Sequence, residues 1–414
     1  MKTLYASAWC FAHGINAYSF ENLRAVFQAN HVVPPQTWFA HAPVYPPFTL
    51  ALLAPSAAVS MTVAVYLNVI LSAVLFAWAL GSLLRYASRH FSLPWYALMA
   101  AVGPCAASPM LSFAFGVGNV SIAVSALARL AFLHRTSRHP WLCAAALAIG
   151  ILLKPHLAIW IAFGMFCLLD AAARRIASRA IGIVALFSLG IGGVLAASGR
   201  LSLQFGGFLQ MLHAENSSGA SMSAGSREVL PIFSQITSSS LIVGFWTTNT
   251  YIIAMVTILM LATMLTILVR HIRHVRTERA ALLAIAAWSA FGLIATYHRN
   301  ADTLILFLLI PWLFEHIAKR SLTWQPWVVS TMLLSMSVGP PLTDMAAWAA
   351  TDPHDALRTF LMLRQAALTA VILTLAVIAA LGHENAPRTL HEGHLESVTS
   401  RRRTETSFAA QALS

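Results

Sequence analysis

Apolar positions in this chain neither alternate nor recur on one face; they run on almost without interruption over stretches long enough to bridge hydrocarbon. A helix needs runs of about 17 to 25 residues for that. Such runs fall at residues 61–84, 95–116, 118–134, 140–155, 156–172, 180–198, 248–269, 280–297, 302–318, 326–343 and 359–381. The pattern predicts an all-α fold, a polytopic transmembrane helical bundle of roughly eleven spans by this length criterion. The runs between 118 and 172 are the shortest, and their division into three helices sets the direction of everything downstream.

Polar punctuation orders these spans. Arg85 with Arg89, Arg135 with Arg138, Arg174 with Arg175 and Arg179, Arg270 to Arg279, Lys319 with Arg320, and Arg401 to Arg403 occupy alternate gaps. Short cytoplasmic loops carry such an excess of basic residues. The intervening set is expected outside: residues 1–60, the turns at 116–119, 154–156 and 297–302, the long loop 199–247, and 344–358. The chain then divides into an extracytoplasmic region 1–60 with re-entrant or short helices, a transmembrane helical domain 61–381 carrying the 199–247 loop, and a disordered cytoplasmic tail 382–414. Residues 1–60 start on the far side with no span or signal peptide ahead of Met1 to carry them there. One further helix before the present start, giving about twelve spans, would put both termini in the cytoplasm.

Composition fits a chain dissolved in lipid. Hydrophobic residues make up 58% of the 414 and charged ones 10%, with a mean hydropathy of +0.71; a water-soluble fold of this size could not keep that balance off its surface. The net charge of +12 invites a nucleic-acid reading, but only three of the 26 basic residues are lysines and most arginines sit in the short gaps. The charge therefore reports topology. Cys105, Cys143 and Cys167 lie inside apolar runs and Cys10 stands apart, which leaves no disulfide framework.

Candidate chemistry gathers on the outer side. Tyr297-His298-Arg299-Asn300-Ala301-Asp302 packs an aromatic ring, an imidazole, a guanidinium and a carboxylate into one turn. Arg299 can pair with Asp302 simply to close that turn, or can grip a phosphate bidentately beside His298. Lys154-Pro155-His156 interrupts an apolar stretch, and an ammonium there either snorkels at a proline turn or meets an anion. Gly118-Asn119 reads as a helix N-cap or as a ligand, and Pro46-Pro47 after Tyr45 reads as a helix start. The 199–247 loop, with a Ser- and Gly-rich middle, is either a plain solvated loop or a mobile cover for the site. The outer loops show no carboxylate pair or Asp-x-Asp spacing that would hold a divalent ion. No cofactor is expected.

Gly14-Ile15-Asn16-Ala17-Tyr18, Tyr45-Pro46-Pro47, Gly118-Asn119, Leu153-Lys154-Pro155 and Tyr297-His298-Arg299 with Asp302, in this order and on one side, resemble the motifs of glycosyltransferase family 87. The resemblance covers most of the membrane domain. It implies the fold of the C-type glycosyltransferases, polytopic enzymes that move a sugar from a polyprenyl-phosphate donor to an acceptor outside the cytoplasmic membrane. It further implies direct displacement with inversion, a carboxylate in the first outer loop serving as base while basic groups hold the departing phosphate. Lys154, His298 and Arg299 would hold the donor phosphate, and Tyr18, Tyr45, Asn119, His156 and Asp302 would surround the substrates. The family's base is an aspartate ahead of the Gly-x-Asn-x-Tyr segment, and this sequence has none there. Glu21 is the only acid before Asp170 and follows Tyr18, so it reads as a substitute base or as an ordinary loop glutamate. The absence of that aspartate and of a first span together point to a natural chain longer at its N-terminus.

The expected function is transfer of a hexose, mannose-like, from a polyprenyl-phosphate sugar to a glycan or glycolipid acceptor at the outer face of the inner membrane. Two other readings stay open: a lipid or small-molecule transporter or flippase, and a catalytically inert homologue. Transporters place substrate groups near the midplane on broken helices, whereas the polar clusters here fall at one face. Of the other charges near apolar runs, Arg129, Asp170, Glu315 and Arg364, the two acids adjoin basic runs and read as interfacial pairs.

Overall fold

A computed structural model of the protein describes residues 2–32, 45–91, 109–116, 118–216, 238–247, 249–296, 300–319, 323–337 and 364–385. All regular structure among them is helical. The first part of the chain folds as three short helices, α1 (Lys2–Ala12), α2 (Phe20–Ala29) and α3 (Pro47–Leu53), the last continued by a 3₁₀ turn to Ala58. There follow α4 (Met61–His90), α5 (Pro109–Gly116), α6 (Ser121–Leu133), α7 (Pro140–Leu153), α8 (Pro155–Cys167) and α9 (Ala171–Ala197). A π-helical turn at Ser202–Gly206 leads into α10 (Gly207–Asn216), then α11 (Ser240–Trp246), α12 (Thr250–Ile272) and α13 (Glu278–Ala295). A 3₁₀ segment Asn300–Leu309, α14 (Ile310–Ala318), α15 (Trp324–Ser337) and α16 (Gln365–Asn385) complete it.

Five of the described helices, α4, α9, α12, α13 and α16, are long and apolar enough to cross a membrane. The run 118–172 does form three helices, but these have 13, 14 and 13 residues, and at about 1.5 Å per residue each rises only some 20 Å. That is short of a hydrocarbon core about 30 Å thick. The run expected at 302–318 divides into the 3₁₀ segment and α14. Residues 95–108, 338–343 and 359–363 of the expected spans lie outside the described residues, as does the tail beyond 385.

Burial sorts the spans. In α13, 83% of the most apolar window is buried, against 11% in α9 and 17% in α12. The central helix is rich in small residues, with Ala280, Ala281, Ala284, Ala286, Ala287, Ala290 and Gly292 all buried. Lipid is as apolar as leucine, so helices in a membrane associate through close packing, which small side chains permit. Gly292 shows how close: a Cβ there would run into the Trp160 ring of α8. α13 packs against α8 and α16, while α6 joins α4 to α7. Ile258 and Leu259 of α12 and Leu186 and Leu189 of α9 are exposed, as lipid-facing positions should be.

At one end of the bundle the charges pair with each other. Arg135, 4% exposed, donates through Nε to Asp170 Oδ2 at 2.6 Å and through Nη2 to Glu278, whose carboxylate also accepts from Tyr86 Oη at 2.7 Å. Burial by itself would raise the Asp170 carboxyl, but Arg135 and the backbone N–H groups of Ala173 and Ala172 outweigh it and hold the group below its ordinary range. Glu315 meets Arg279 at 2.5 Å and Lys319 at 2.8 Å. Asp170 and Glu315 are thus ion-paired at a helix end, as their neighbouring basic runs suggested.

Candidate active site

The opposite end is built around two interruptions. Gly118 takes a φ of +61°, a conformation glycine adopts without steric cost, and its carbonyl accepts from Asn68 Nδ2 of α4 at 3.0 Å. The turn aims Asn119 at the start of α6, where its Oδ1 accepts from Ser121 N at 2.9 Å and lies 2.6 Å from Ser121 Oγ. Asn119 is therefore a cap, and its side chain also joins the polar cluster.

The second interruption is Lys154. Pro155 has no N–H to continue α7 and opens α8 instead. The break leaves α7 carbonyls without helical partners, and Thr49 of α3, fully buried, donates to one of them, Leu152 O, at 2.5 Å. Lys154 at the corner is 8% exposed, so it does not snorkel to water. Its Nζ donates to Asp302 Oδ1 at 2.5 Å and to Ser121 Oγ at 2.8 Å. Ser121 Oγ is 2.5 Å from the same Asp302 oxygen, so its single proton goes either to that carboxylate or to Asn119. Asp302 is 1% exposed and Ser121 fully buried. Three elements, α6, the α7–α8 corner and the 3₁₀ segment, are pinned together by one ammonium, one hydroxyl and one carboxylate.

Around this cluster stands the N-terminal region. Gly14, with φ +72°, starts a turn closed by Asn16, whose Oδ1 accepts from Tyr18 N at 2.9 Å. Tyr18 Oη donates to Tyr45 O at 2.7 Å, bridging 27 residues, and burial raises the Tyr18 phenol well above its ordinary value. Tyr18, Leu4, Tyr5, Val120 and Met211 share one apolar cluster, with Tyr45 and Phe208 against it. Gln204 of the π-helical turn donates to Ile15 O at 2.8 Å, and a Cβ on Gly207 would come within 2.7 Å of Asn16 Oδ1. The start of the 199–247 loop is therefore packed onto the Gly14–Tyr18 turn. Its Ser- and Gly-rich middle lies outside the described residues.

Of the residues singled out by sequence, Asn119, Lys154 and Asp302 come together, and Tyr18 with Tyr45 forms the adjoining wall. His156 is half-buried in the first turn of α8. Glu21 is exposed in the first turn of α2, where a carboxylate suits the positive end of the helix dipole. His298 and Arg299 lie outside the described residues. Ser121 was missed: a serine just after an asparagine at a helix start looks like part of the cap, and only its contact across 181 residues with Asp302 shows otherwise. Thr49 and Gln204 were missed for the same reason, since each partners a carbonyl remote in sequence. Among the described residues no three His, Cys, Asp or Glu side chains assemble as a metal site.

A helical bundle with lipid-facing spans and a buried, charged cluster at one end defines a membrane protein with a polar site set into its apolar body. The family follows from comparison: residues 44–296 match the model of glycosyltransferase family 87, more than half of the chain, and the protein belongs to that family. Membership implies a membrane glycosyltransferase, with a sugar donor and an acceptor as its partners. Tyr45, Asn119, Lys154 and His156 fall within the matched residues, while Tyr18, Glu21, His298, Arg299 and Asp302 lie beyond them. No curated protein and no solved structure matches the chain.

Proposed function

We propose that the protein transfers a hexose, mannose-like, from a polyprenyl-phosphate sugar to an extracytoplasmic glycan or glycolipid, with inversion at the anomeric carbon, at the outer face of the inner membrane. The observation that carries this reading is the buried Lys154–Ser121–Asp302 cluster at a helix break, at the end of the bundle opposite the basic runs. Ion pairs buried within membrane segments are costly and mark functional sites. An ammonium held at the corner of two helices can meet a phosphate that stays at the interface while its chain lies in lipid.

In the reaction the acceptor hydroxyl loses its proton to a base as its oxygen bonds to the anomeric carbon. The bond from that carbon to the phosphate oxygen breaks, and its electron pair leaves with the polyprenyl phosphate. A sugar hydroxyl is a weak nucleophile at neutral pH, so a positioned base helps; the leaving phosphate gathers charge, so nearby cations lower the barrier. Lys154, His298 and Arg299 take the second role. Arg299 and His298 precede Asp302 by three and four residues, which tethers both to the element that holds Lys154. Tyr18, Tyr45, Asn119, His156 and Asp302 serve substrate binding. Glu21 is the acid that the first outer segment offers as base, and its exposed place on α2 leaves it reachable by a solvated acceptor.

The test is transfer of radiolabelled mannose from polyprenyl-phosphate-mannose in membranes carrying the wild type, K154M or R299M. Activity in the wild type and a loss of about a hundredfold or more in both variants, the scale of a lost oxyanion contact, is the expected result. Undiminished transfer by both variants overturns the donor-site assignment. Wild-type protein that transfers no sugar yet moves a lipid phosphate across liposomes overturns the enzyme reading in favour of a flippase.

A further inference from the structure

Beneath the cluster, α6 carries a charge that no carboxylate among the described residues pairs with. Ser121, Ser125 and Arg129 follow at intervals of four and share one helix face. Ser121 closes the Lys154–Asp302 pair above. Ser125 and Arg129 are fully buried, and the Ser125 hydroxyl and both terminal amines of Arg129, Nη1 and Nη2, have no hydrogen-bond partner among the described residues. The guanidinium does not point away from the site: its Nε donates back to Ser125 O at 3.0 Å, which folds it one turn up the helix toward Ser121. The ring of Phe76 on α4 lies 5.3 Å from it and that of Phe307 on the 3₁₀ segment 5.8 Å, within an apolar cluster that includes Leu111, Ile122 and Leu304.

The register of the two elements makes the arrangement consistent. Eight residues of α-helix separate Ser121 from Arg129, a rise of about 12 Å, and five residues of 3₁₀ helix separate Asp302 from Phe307, a rise of about 10 Å. The segments run side by side, with the ion-paired level above and the cation–π level below. Aromatic faces return part of the cost of desolvating a guanidinium, but they supply no counter-charge. Lys154 and Asp302 pair with each other, so of these three groups Arg129 leaves a net positive charge of one.

We infer that Arg129 supplies the standing positive charge that draws a lipid-linked phosphate monoanion to the Lys154–Asp302 level, and so sets the preference of the site for a phosphorylated isoprenoid over the corresponding alcohol. The inference rests on the donor reading proposed above and names a residue which that reading lacks. Arg129 acts through space, without contact with the reacting atoms. At roughly 10 Å and an effective dielectric constant of about 20, one charge on another changes an equilibrium by on the order of tenfold. Because the guanidinium is buried, salt screens the effect little.

The experiment measures binding of farnesyl phosphate, farnesol and inorganic phosphate to the purified full chain in nanodiscs. Wild type is expected to prefer farnesyl phosphate to farnesol and to bind inorganic phosphate poorly. R129M should lower affinity for farnesyl phosphate on the order of tenfold, at low and at high salt alike, and leave farnesol unchanged, whereas R129K, which keeps the charge, should stay within about threefold of wild type, little enough against the tenfold Coulomb effect to separate the two. Replacing buried charged groups by apolar side chains of similar volume is often neutral or stabilising, and R129K gives a second reading of the same point. An R129M protein that keeps the phosphate preference, or an R129K protein that loses it as fully as R129M, overturns the inference. If wild type itself shows no preference for the phosphate, the donor reading falls and the inference falls with it. Tight binding of inorganic phosphate alone would mean a soluble anion site and would overturn the lipid-linked assignment.

Discussion

Replacing Lys154 by methionine keeps the side chain's length and removes its charge, which takes the ammonium partner from the Asp302 carboxylate at 1% exposure. Asp302→Asn strands the ammonium in the same way. Removing one partner of a buried pair costs about 3–5 kcal/mol, because the other charge is left without compensation, while removing both is often close to neutral. The geometry places this pair in that class: Nζ and Oδ1 are 2.5 Å apart, with side chains 9% and 1% exposed. Each single variant should therefore lose about 3 kcal/mol or more, and the double variant should regain most of it, a coupling of at least about 2 kcal/mol. Thermal unfolding in one detergent, followed by tryptophan fluorescence, measures the cycle, and sugar transfer is read on the same samples. The double variant should recover stability and fail to recover transfer, which separates the pair's structural role from Lys154's role toward phosphate. Single losses that simply add in the double variant would refute the coupling. A double variant as active as wild type would refute the functional assignment of Lys154.

Arg135→Gln should destabilise the opposite end of the bundle by about 1–3 kcal/mol, less than a fully buried pair because Asp170 and Glu278 keep 29% and 39% exposure; a shift in thermal midpoint reads it. Asp170 is held below its ordinary range, so its contribution is complete above the unfolded value of about 3.9 and is lost as pH falls through the depressed native value. Acid unfolding should therefore begin at higher pH in R135Q than in wild type. Gly14→Ala forces a left-handed φ on alanine and drives a methyl into the Arg200 guanidinium, costing about 1–2 kcal/mol for the backbone alone; faster proteolysis ahead of Tyr18 is the readout. Gly292→Ala, which meets the Trp160 ring, should cost about 1–3 kcal/mol by overpacking α13 on α8 and lower the thermal midpoint. Transfer should persist in excess EDTA, and a loss restored by Mg²⁺ or Mn²⁺ would show that a metal takes part.

Legibility in the sequence followed the reach of each interaction. Long apolar runs announce helices by length alone, and α4, α9, α12, α13 and α16 fall where such runs were read. The lipid-facing and central helices could not be told apart that way, because the most deeply buried, α13, is distinguished by alanine and glycine rather than by greater hydropathy. Corners were legible because proline and glycine break helices locally: Pro155 opens α8 and Gly118 turns the chain before α6. Partners were not. Nothing within 20 residues of Lys154 indicates Asp302, which lies 148 positions on, and Arg299 had looked the nearer mate. Ser121 and Thr49 are small polar residues whose importance depends wholly on what the fold brings to them.

The two ends of the bundle put the same kinds of side chain to different physical use. Arg135 has two carboxylates and a backbone carbonyl as partners, so its charge is compensated, and the end it occupies can serve as a clamp joining the α6–α7 turn to α9 and α13. At the other end, among the described residues, Lys154 has one carboxylate, Arg129 has none and the Ser125 hydroxyl has no hydrogen-bond partner. A protein selected for stability alone would fill such a place with apolar side chains, which cost less to bury. A fully buried guanidinium without a carboxylate partner among the described residues lies at the end where the helices break and where the Gly14–Tyr18 turn packs, so an arriving anion would find a counter-charge already oriented. That asymmetry ties the membrane glycosyltransferase family to the proposed phosphate-linked donor, and it makes Arg129 the position at which the two can be tested apart.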